Sequence, residues 1–406
     1  MSTVPLRRVA AFYSGGTPSK SQPLYWGGSI PWVSGKDMKS FRLHGSIDTV
    51  TEEGAQQVRV AEPGSILVLV RGMMLNRALP LGVLLVPATF NQDIKALVVD
   101  EDHDPDFVAY YLASQESRIL GLVTRSSHGT GKLETDELAS YPIPNIPLPT
   151  QRRIAAVLQT WDRAIALAER QLADLRERKR GLMQRLLTGE TRLPGFEGAW
   201  EEVRLGHVGK ILKGSGLTKA DMAEEGVPAI RYAELYTTYG SHIDVVKSRA
   251  SESVADSSLA IQYGDILLPS SGEDRIDIAT ASVYLSNDRC VVGGDMLVIR
   301  PKQDDSVFLG YALNQAAVRK QFYAVAQGVS VIHVYKSNLE EVVLSMPESN
   351  EQRAIASKFE EVDSGIRAVV SSIESLQIQK KGLMQRLLEG DVDLDERFDK
   401  FTSVPK

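Results

Sequence analysis

Gly181-Leu-Met-Gln-Arg-Leu-Leu187 and Gly382-Leu-Met-Gln-Arg-Leu-Leu388 are the same seven letters set 201 residues apart, and reading them as two copies of one unit decides the fold. The same offset carries Gln151-Arg152 onto Gln352-Arg353, Asp162 onto Asp363 and Leu175 onto Leu376. It carries Phe107, Tyr110, Leu112 and Arg118 onto Phe308, Tyr311, Leu313 and Arg319. Towards the start it drifts to 199 and 200: Val4, Leu6, Val9 and Gly15 fall on Val203, Leu205, Val208 and Gly214, and Gly64, Ile66 and Leu67 on Gly264, Ile266 and Leu267. Seven identical letters can be chance; a register kept over half the chain is a duplication.

Each copy reads as a mixed block followed by one long helix. Short apolar runs at Ile66–Val70, Ala96–Val99, Ile266–Leu268 and Met296–Ile299 predict strands, punctuated by Gly and Pro. A helical pattern closes each block, at Pro105–Leu120 and Ser306–Phe322. In the long helices the apolar positions step by four and three without a break. The first runs Ile154, Leu158, Trp161, Ile165, Ala168, Leu172, Leu175, Lys179, Leu182, Leu186, and the second Ile355, Phe359, Val362, Ile366, Val369, Ile373, Leu376, Lys380, Leu383, Leu387. Such a seam predicts helix-to-helix packing, and its one polar insertion, Lys179 and its copy Lys380, fixes pairing register at some cost in stability. Thr150 offers an N-cap, Ser349 with Gln352 a capping box, and Gly189 and Gly390 suit the C-terminal turns.

The expected fold class is α+β: two repeated mixed blocks separated by a pair of long helices that form an antiparallel coiled coil, related by a pseudo-two-fold. The boundaries read as 1–150 and 200–350 for the blocks, 151–188 and 351–389 for the helices, 189–199 for a linker and 390–406 for a tail. Each helix packing on its own block is the alternative.

Composition bounds the function. The chain has 406 residues, 43% hydrophobic and 24% charged, which suits two or three folded domains. One cysteine, Cys290, excludes a disulfide framework and a cysteine-built zinc site and suits a reducing compartment. The six histidines, His44, His103, His128, His207, His242 and His333, lack metal-ligand spacing. Neither a leader nor a membrane-spanning stretch is visible, so the expectation is a soluble, cytoplasmic protein without a membrane partner. The net charge of −6 splits into −2 over residues 1–150, +5 over 151–187, −8 over 188–351, +2 over 352–388 and −3 over 389–406. Contact with a polyanion would therefore use local basic patches.

With the two variable blocks and the twin Gly-Leu-Met-Gln-Arg-Leu-Leu helices in place, the plan resembles the specificity subunit of Type I restriction–modification systems. Leu6-Arg-Arg-Val-Ala, Gly15-Gly-Thr-Pro18, Ile30-Pro-Trp-Val33, Gln151-Arg-Arg-Ile154, Gln352-Arg-Ala-Ile355 and Pro194-Gly-Phe196 before Trp200 add to the likeness. The resemblance implies that each block is a target recognition domain reading one half of a bipartite double-stranded DNA sequence. It implies that the helices set the spacer and dock two methyltransferase subunits, with restriction/translocase subunits joining a larger complex. S-adenosylmethionine, ATP and magnesium would belong to those partners, and this chain would perform no chemistry.

The residues are consistent with that. The amino-methyltransferase signature is absent, and Gly129-Thr130-Gly131-Lys132 lacks the leading Gly and following Ser/Thr of a phosphate loop, having Ser126 and Leu133 there. An enzyme using that loop, and a free-standing DNA-binding or scaffold protein, are the rival readings. Residues 151–187 as helix span ~55 Å at ~1.5 Å each, enough to separate two readers by a DNA turn of ~34–36 Å. Candidate DNA contacts, chosen from Gly-, Ser- and Asn-rich turns, are Lys20, Lys36, Arg71, Arg77, His128 and Lys132 in the first block, with Arg125 a further donor. In the second they are Lys213, Lys219, Arg231, Arg275 and Lys336, with Tyr232 and Tyr335 as stacking or apolar contacts. Each is equally readable as a solvated surface group, and Trp32 as core. Arg170, Arg176, Arg178, Arg180 and Arg185 are the candidates for partner docking, against a plain solvated face.

Overall fold

The computed structural model of the protein describes residues 2–272, 278, 280–326, 332–392 and 394–398. The chain divides into two compact units, residues 1–169 with 371–406, and residues 170–370. Both divisions fall inside the long helices, Leu148–Leu186 and Ser349–Glu389, so each unit holds one mixed block and a part of each helix.

In the first unit the apolar run Ile66–Leu69 has no exposed residue because it is the middle strand of a five-stranded sheet. The order is Ala10–Ser14, Ile94–Val99, Ile66–Leu69, Leu81–Leu84, Arg42–Leu43, antiparallel except for the last, parallel pair. A four-stranded sheet, Asp48–Val50, Trp26–Val33, Ala88–Phe90, Val60–Ala61, accompanies it. Trp32 lies buried there with Val50 and Ala55. The core of this unit also takes in Ile154 and Leu158 from the first long helix, and Leu387 and Leu388, with Leu383 packed alongside, from the second. Residue number rises along one helix as it falls along the other, so the two segments run antiparallel. Leu394 joins the same core, and its carbonyl accepts from Arg153 Nη1 at 3.1 Å.

The second unit repeats the five-stranded order with Gly209–Lys213, Met296–Pro301, Ile266–Pro269, Ser282–Tyr284 and His242–Ile243. Its helix segments are again antiparallel: Leu186 and Leu187 share a core with Ile355, Ala356 and Phe359. The linker is tied down by charge. Glu351, fully buried, accepts from Arg192 Nε and Nη2 at 2.6 and 2.5 Å and from Trp200 Nε1 at 3.3 Å.

Three local expectations need correction. The helical pattern closing each block is two helices, Pro105–Ser114 then Glu116–Leu120, and Ser306–Leu313 then Ala316–Val325. Polar side chains compete with the helix ladder at the break: Ser114 Oγ donates to Tyr111 O, and Asn314 bonds Gly310 O and both backbone groups of Ala281. The long helices begin at Leu148 and Ser349, so Thr150 and Ser349 are helical residues rather than caps. The helix starts are tethered instead by Gln151, which accepts from Asp104 N and donates to Ile146 O, and by Gln352, which does the same with Asp305 N and Pro347 O. Gly189 and Gly390 do adopt the left-handed conformation at the C-terminal turns, with φ of 72° and 83°.

Candidate nucleic-acid interface

Where helices and block meet, each unit builds the same three-residue cluster. In the second unit the seam lysine of the first helix, Lys179, reaches Asp363 of the second helix at 2.7 Å, and the block's Tyr311 hydroxyl donates to the same carboxylate. In the first unit Lys380 of the second helix pairs with Asp162 of the first, and Tyr110 donates to Asp162. The ammonium groups lie 4.9 Å from the Tyr311 ring centre and 5.1 Å from that of Tyr110, within cation–π reach. Burial first, and then the neighbouring carboxylate, raises both phenols far above their usual value, so they stay protonated donors. Each cluster thus ties two helices and a block at one carboxylate.

Every seam residue is buried or half-buried, including Trp161, Ile165, Leu172, Leu175, Val362, Ile366, Ile373 and Leu376. The seam reading singled out Lys179 and Lys380 but not their partners. Asp162, Asp363, Tyr110 and Tyr311 were visible only as positions kept by the 201-residue offset.

The block surface of the first unit gathers part of the expected basic set. Arg71–Gly72, Gly131–Lys132 and Thr124–Arg125 form a three-stranded antiparallel sheet. Its register sets Arg71 directly opposite Lys132, so two exposed cations share one face. These residues lie in short strands, not in the turns expected for them. Like charges directly opposite destabilise a sheet unless an anion lies over them. Lys132 also meets Glu134 at 2.6 Å in an exposed pair, worth little in water. Arg125 borders the hairpin, His128 sits exposed at its tip, and Arg77 is exposed after the turn Met73–Asn76, where Asn76 Nδ2 donates to Gly129 O at 2.8 Å. Because Lys132 lies in a strand and only the short helix Thr135–Ala139 follows, Gly129–Lys132 is a hairpin end and not a phosphate loop. Lys20 and Lys36 are exposed elsewhere in the unit. Lys20 Nζ lies 6.0 Å from the Trp32 ring, and Lys36 is paired with Asp48 at 2.9 Å.

In the second unit the corresponding strands are Ser271–Gly272 and Ile332–His333, with Ser271 opposite His333. The cation pair of the first unit is therefore a hydroxyl and an imidazole. His333, not among the expected contacts, stacks at 6.3 Å with the exposed Tyr335 ring. Lys336 is exposed beside it and 3.7 Å from Glu340. Lys213 is exposed opposite Leu297, and Lys219 is exposed in its turn. Arg231 and Tyr232 are turned inward: Arg231 Nε lies 3.6 Å from the buried Glu234 carboxylate, and Tyr232 packs on a core cluster with Tyr236 6.4 Å away. Arg275 lies outside the described residues.

On the first long helix Arg170, Arg176, Arg178, Arg180 and Arg185 are all exposed. At roughly 100° per residue they spread around the solvent side instead of forming one stripe. Counting charge misses two apolar residues on the helices of the first unit, Leu167 and Ile378, which are 65% and 72% exposed. Large apolar side chains left in water on a helix face mark contact surfaces when they cluster. Among the described residues there is no group of His, Cys, Asp and Glu able to hold a metal ion, and no helix long and apolar enough to cross a membrane.

Known proteins match the chain along this same repeat. The family described as Type I restriction modification DNA specificity domain matches twice, over residues 1–177 and 197–375. A Type I restriction enzyme specificity subunit from Escherichia coli is 33% identical over 160 residues, covering 39% of this chain and 40% of that protein, so the match spans under half of that relative. One from Methanocaldococcus jannaschii is 24% identical over 312 residues, 71% of this chain and 70% of the other. Among solved structures, the Type I restriction-modification system S subunit from M. genitalium shares the fold, with a TM-score of 0.59 at 16% identity over 95% of each chain.

Proposed function

Since the chain belongs to the Type I restriction modification DNA specificity family, we propose that it is the DNA-recognition subunit of such a system, each block reading one half of a bipartite duplex target. The observation that carries this reading is that the family matches twice, once on each block with the larger part of its following helix. The exposed Arg71–Lys132 face supports it, since an anionic backbone would relieve the opposed charges. The helix pair is read as the spacer between half-sites and, through the arginines Arg170, Arg176, Arg178, Arg180 and Arg185, as the docking surface for two methyltransferase subunits. Those subunits would hold S-adenosylmethionine and methylate adenine. Restriction/translocase subunits using ATP and magnesium would complete the assembly, and this chain would position DNA without reacting with it. The working compartment is the cytoplasm, where the DNA and the partners are.

The test is to co-express the chain with the methyltransferase encoded beside it and map modified adenines. A motif of two short blocks separated by a fixed gap is expected. Adding four residues near Leu175 lengthens that helix by ~6 Å, so the gap should grow by about two base pairs at ~3.4 Å each while both half-sites stay the same. Scattered or absent modification would overturn the recognition reading, and an unchanged gap would overturn the spacer. A chain that binds its target but does not co-purify with the methyltransferase would be a free-standing DNA-binding protein.

A further inference from the structure

In the first unit the strand Arg71–Gly72 runs straight into the turn Met73–Asn76, where Leu75 is buried but Met73 is 63% exposed. A single exposed apolar residue is ordinary; its setting here is not. Arg71 immediately precedes it, Lys132 stands opposite Arg71, Arg77 follows the turn, and Arg125 and His128 belong to the adjoining hairpin. Thr130 Oγ1 approaches Met73 Sδ at 3.9 Å, so the thioether lies against the hairpin tip. Asn76, through its bond to Gly129 O, pins the turn to that hairpin. The result is one flexible, polarisable apolar group against the hairpin tip, with Arg71 and Lys132 on one face of the adjoining sheet and Arg77 just past the turn.

Cations beside it suit phosphates, and the hairpin Thr124–Lys132, against whose tip Met73 lies, is a two-stranded ribbon of the kind the major groove admits. There the only apolar feature that distinguishes one base from another is the thymine 5-methyl group. An unbranched thioether packs well against such a group because it adapts to its position. The geometry points to Met73 as a thymine-reading residue of the first unit, with Arg71 and Lys132 as the phosphate anchors that bring it there. This rests on the proposal that the block binds duplex DNA. It adds which base is read, and by which side chain.

The experiment uses the full chain assembled with its methyltransferase and duplexes carrying the mapped target. Each thymine is replaced in turn by deoxyuridine, which removes only the 5-methyl. Wild type should lose about fourfold in affinity at one position, the worth of one buried methyl. Met73→Ala should bind the normal target about fourfold more weakly and be indifferent to deoxyuridine there. Lys132→Ala should instead weaken binding to all sequences alike, with a shallower salt dependence. If the losses from Met73→Ala and from each deoxyuridine simply multiply, or if no thymine is sensitive, the assignment to Met73 is overturned while DNA recognition stands. An assembly that prefers no sequence overturns both. Met73 is solvent-exposed, so retained thermal stability of Met73→Ala keeps a binding loss from being a folding loss.

Discussion

Around Tyr110 in the first unit stand Phe41, Arg42 and Asp106; around Tyr311 in the second, at the positions the repeat assigns, stand Ser241, His242 and Val307. The three residues that join helix, helix and block are the same in both units, whereas their neighbours have been exchanged. In the first unit Arg42 pairs with Asp106, Gln159 Nε2 donates to that carboxylate at 2.5 Å, and Phe41 stacks on Tyr110 at 4.5 Å. In the second a buried imidazole meets the Tyr311 ring edge-on at 5.3 Å, and Lys179 gains a bond to Ser241 Oγ at 3.2 Å. Cation and carboxylate differ together, Arg42 with Asp106 in the first unit standing where His242 with Val307 stand in the second, so neither junction has one member of the Arg–Asp pair without the other. The lesson is that a duplicated fold keeps the contact defining its geometry and varies the rest only in compatible pairs. The block surfaces differ more freely: the first unit has Arg71 opposite Lys132 where the second has Ser271 opposite His333.

The largest effect should come from removing the shared carboxylate. Asp363→Ala leaves the Lys179 ammonium, whose side chain is 17% exposed, without its counter-charge and orphans the Tyr311 hydroxyl. Breaking a buried pair from one side costs about 3–5 kcal/mol. Asp162→Ala should cost less, about 1.5–3 kcal/mol, because that carboxylate is the more open and Lys380 keeps two rings, Tyr110 and Phe41 at 5.1 and 5.6 Å. Urea unfolding of the full chain followed by probes in each block gives the order. Equal losses would show that the rings do nothing for Lys380.

The exchanged neighbours make a sharper, smaller test. Asp106→Val alone should destabilise the first unit by about 1.5–3 kcal/mol, the value of a hydrogen bond to a charged group, because it leaves Arg42 half-buried without a carboxylate. Arg42→His in the same chain transplants the other unit's solution and should recover much of the loss. A double-mutant cycle is expected to return a coupling of about 1–2 kcal/mol. A coupling near zero would mean that the two replacements arose independently and that the pair is not a unit.

How much of this the sequence discloses depends on separation along the chain. Seam positions repeat every three or four residues, so the helices and the odd lysines are legible from periodicity and offset, while their antiparallel partnership is expected because the block between them gives the chain room to reverse. The partners of those lysines are not, because Asp162 lies 218 residues from Lys380 and neighbours the seam instead of belonging to it. The opposition of Arg71 and Lys132 likewise depends on strands of two residues, too short for an alternating pattern. Arg231 was legible in part: Glu234 three residues on is the spacing of a local pair, and it draws the guanidinium inward. Charge counting found the arginines of the first helix but could not see that Leu167 and Ile378 face solvent, since burial is decided by what packs against them.

The subtlest consequence of the exchange is a difference in acid response. The His242 side chain is 5% exposed and its Nε2 has no hydrogen-bond partner, while Nδ1 is 4.0 Å from Asp363. Burial lowers its pKa below the usual 6.5, helped by Lys179 and Arg367 and opposed by the Asp363 and Asp244 carboxylates. The unfolded chain therefore takes up the proton first as pH falls. The stability this neutral imidazole permits is complete above about pH 6.5 and is lost progressively through the lower folded-state value. Arg42, at the same place in the first unit, does not titrate in that range, so between pH 7 and 5 the second unit should lose stability relative to the first. His242→Phe keeps the ring, leaves nothing to protonate and should flatten the difference. Unfolding midpoints of each block, followed at pH 7, 6 and 5, read it directly. A second unit as insensitive as the first would mean that the imidazole reaches water in the folded chain and that the two junctions, for all their different neighbours, respond to acid as one.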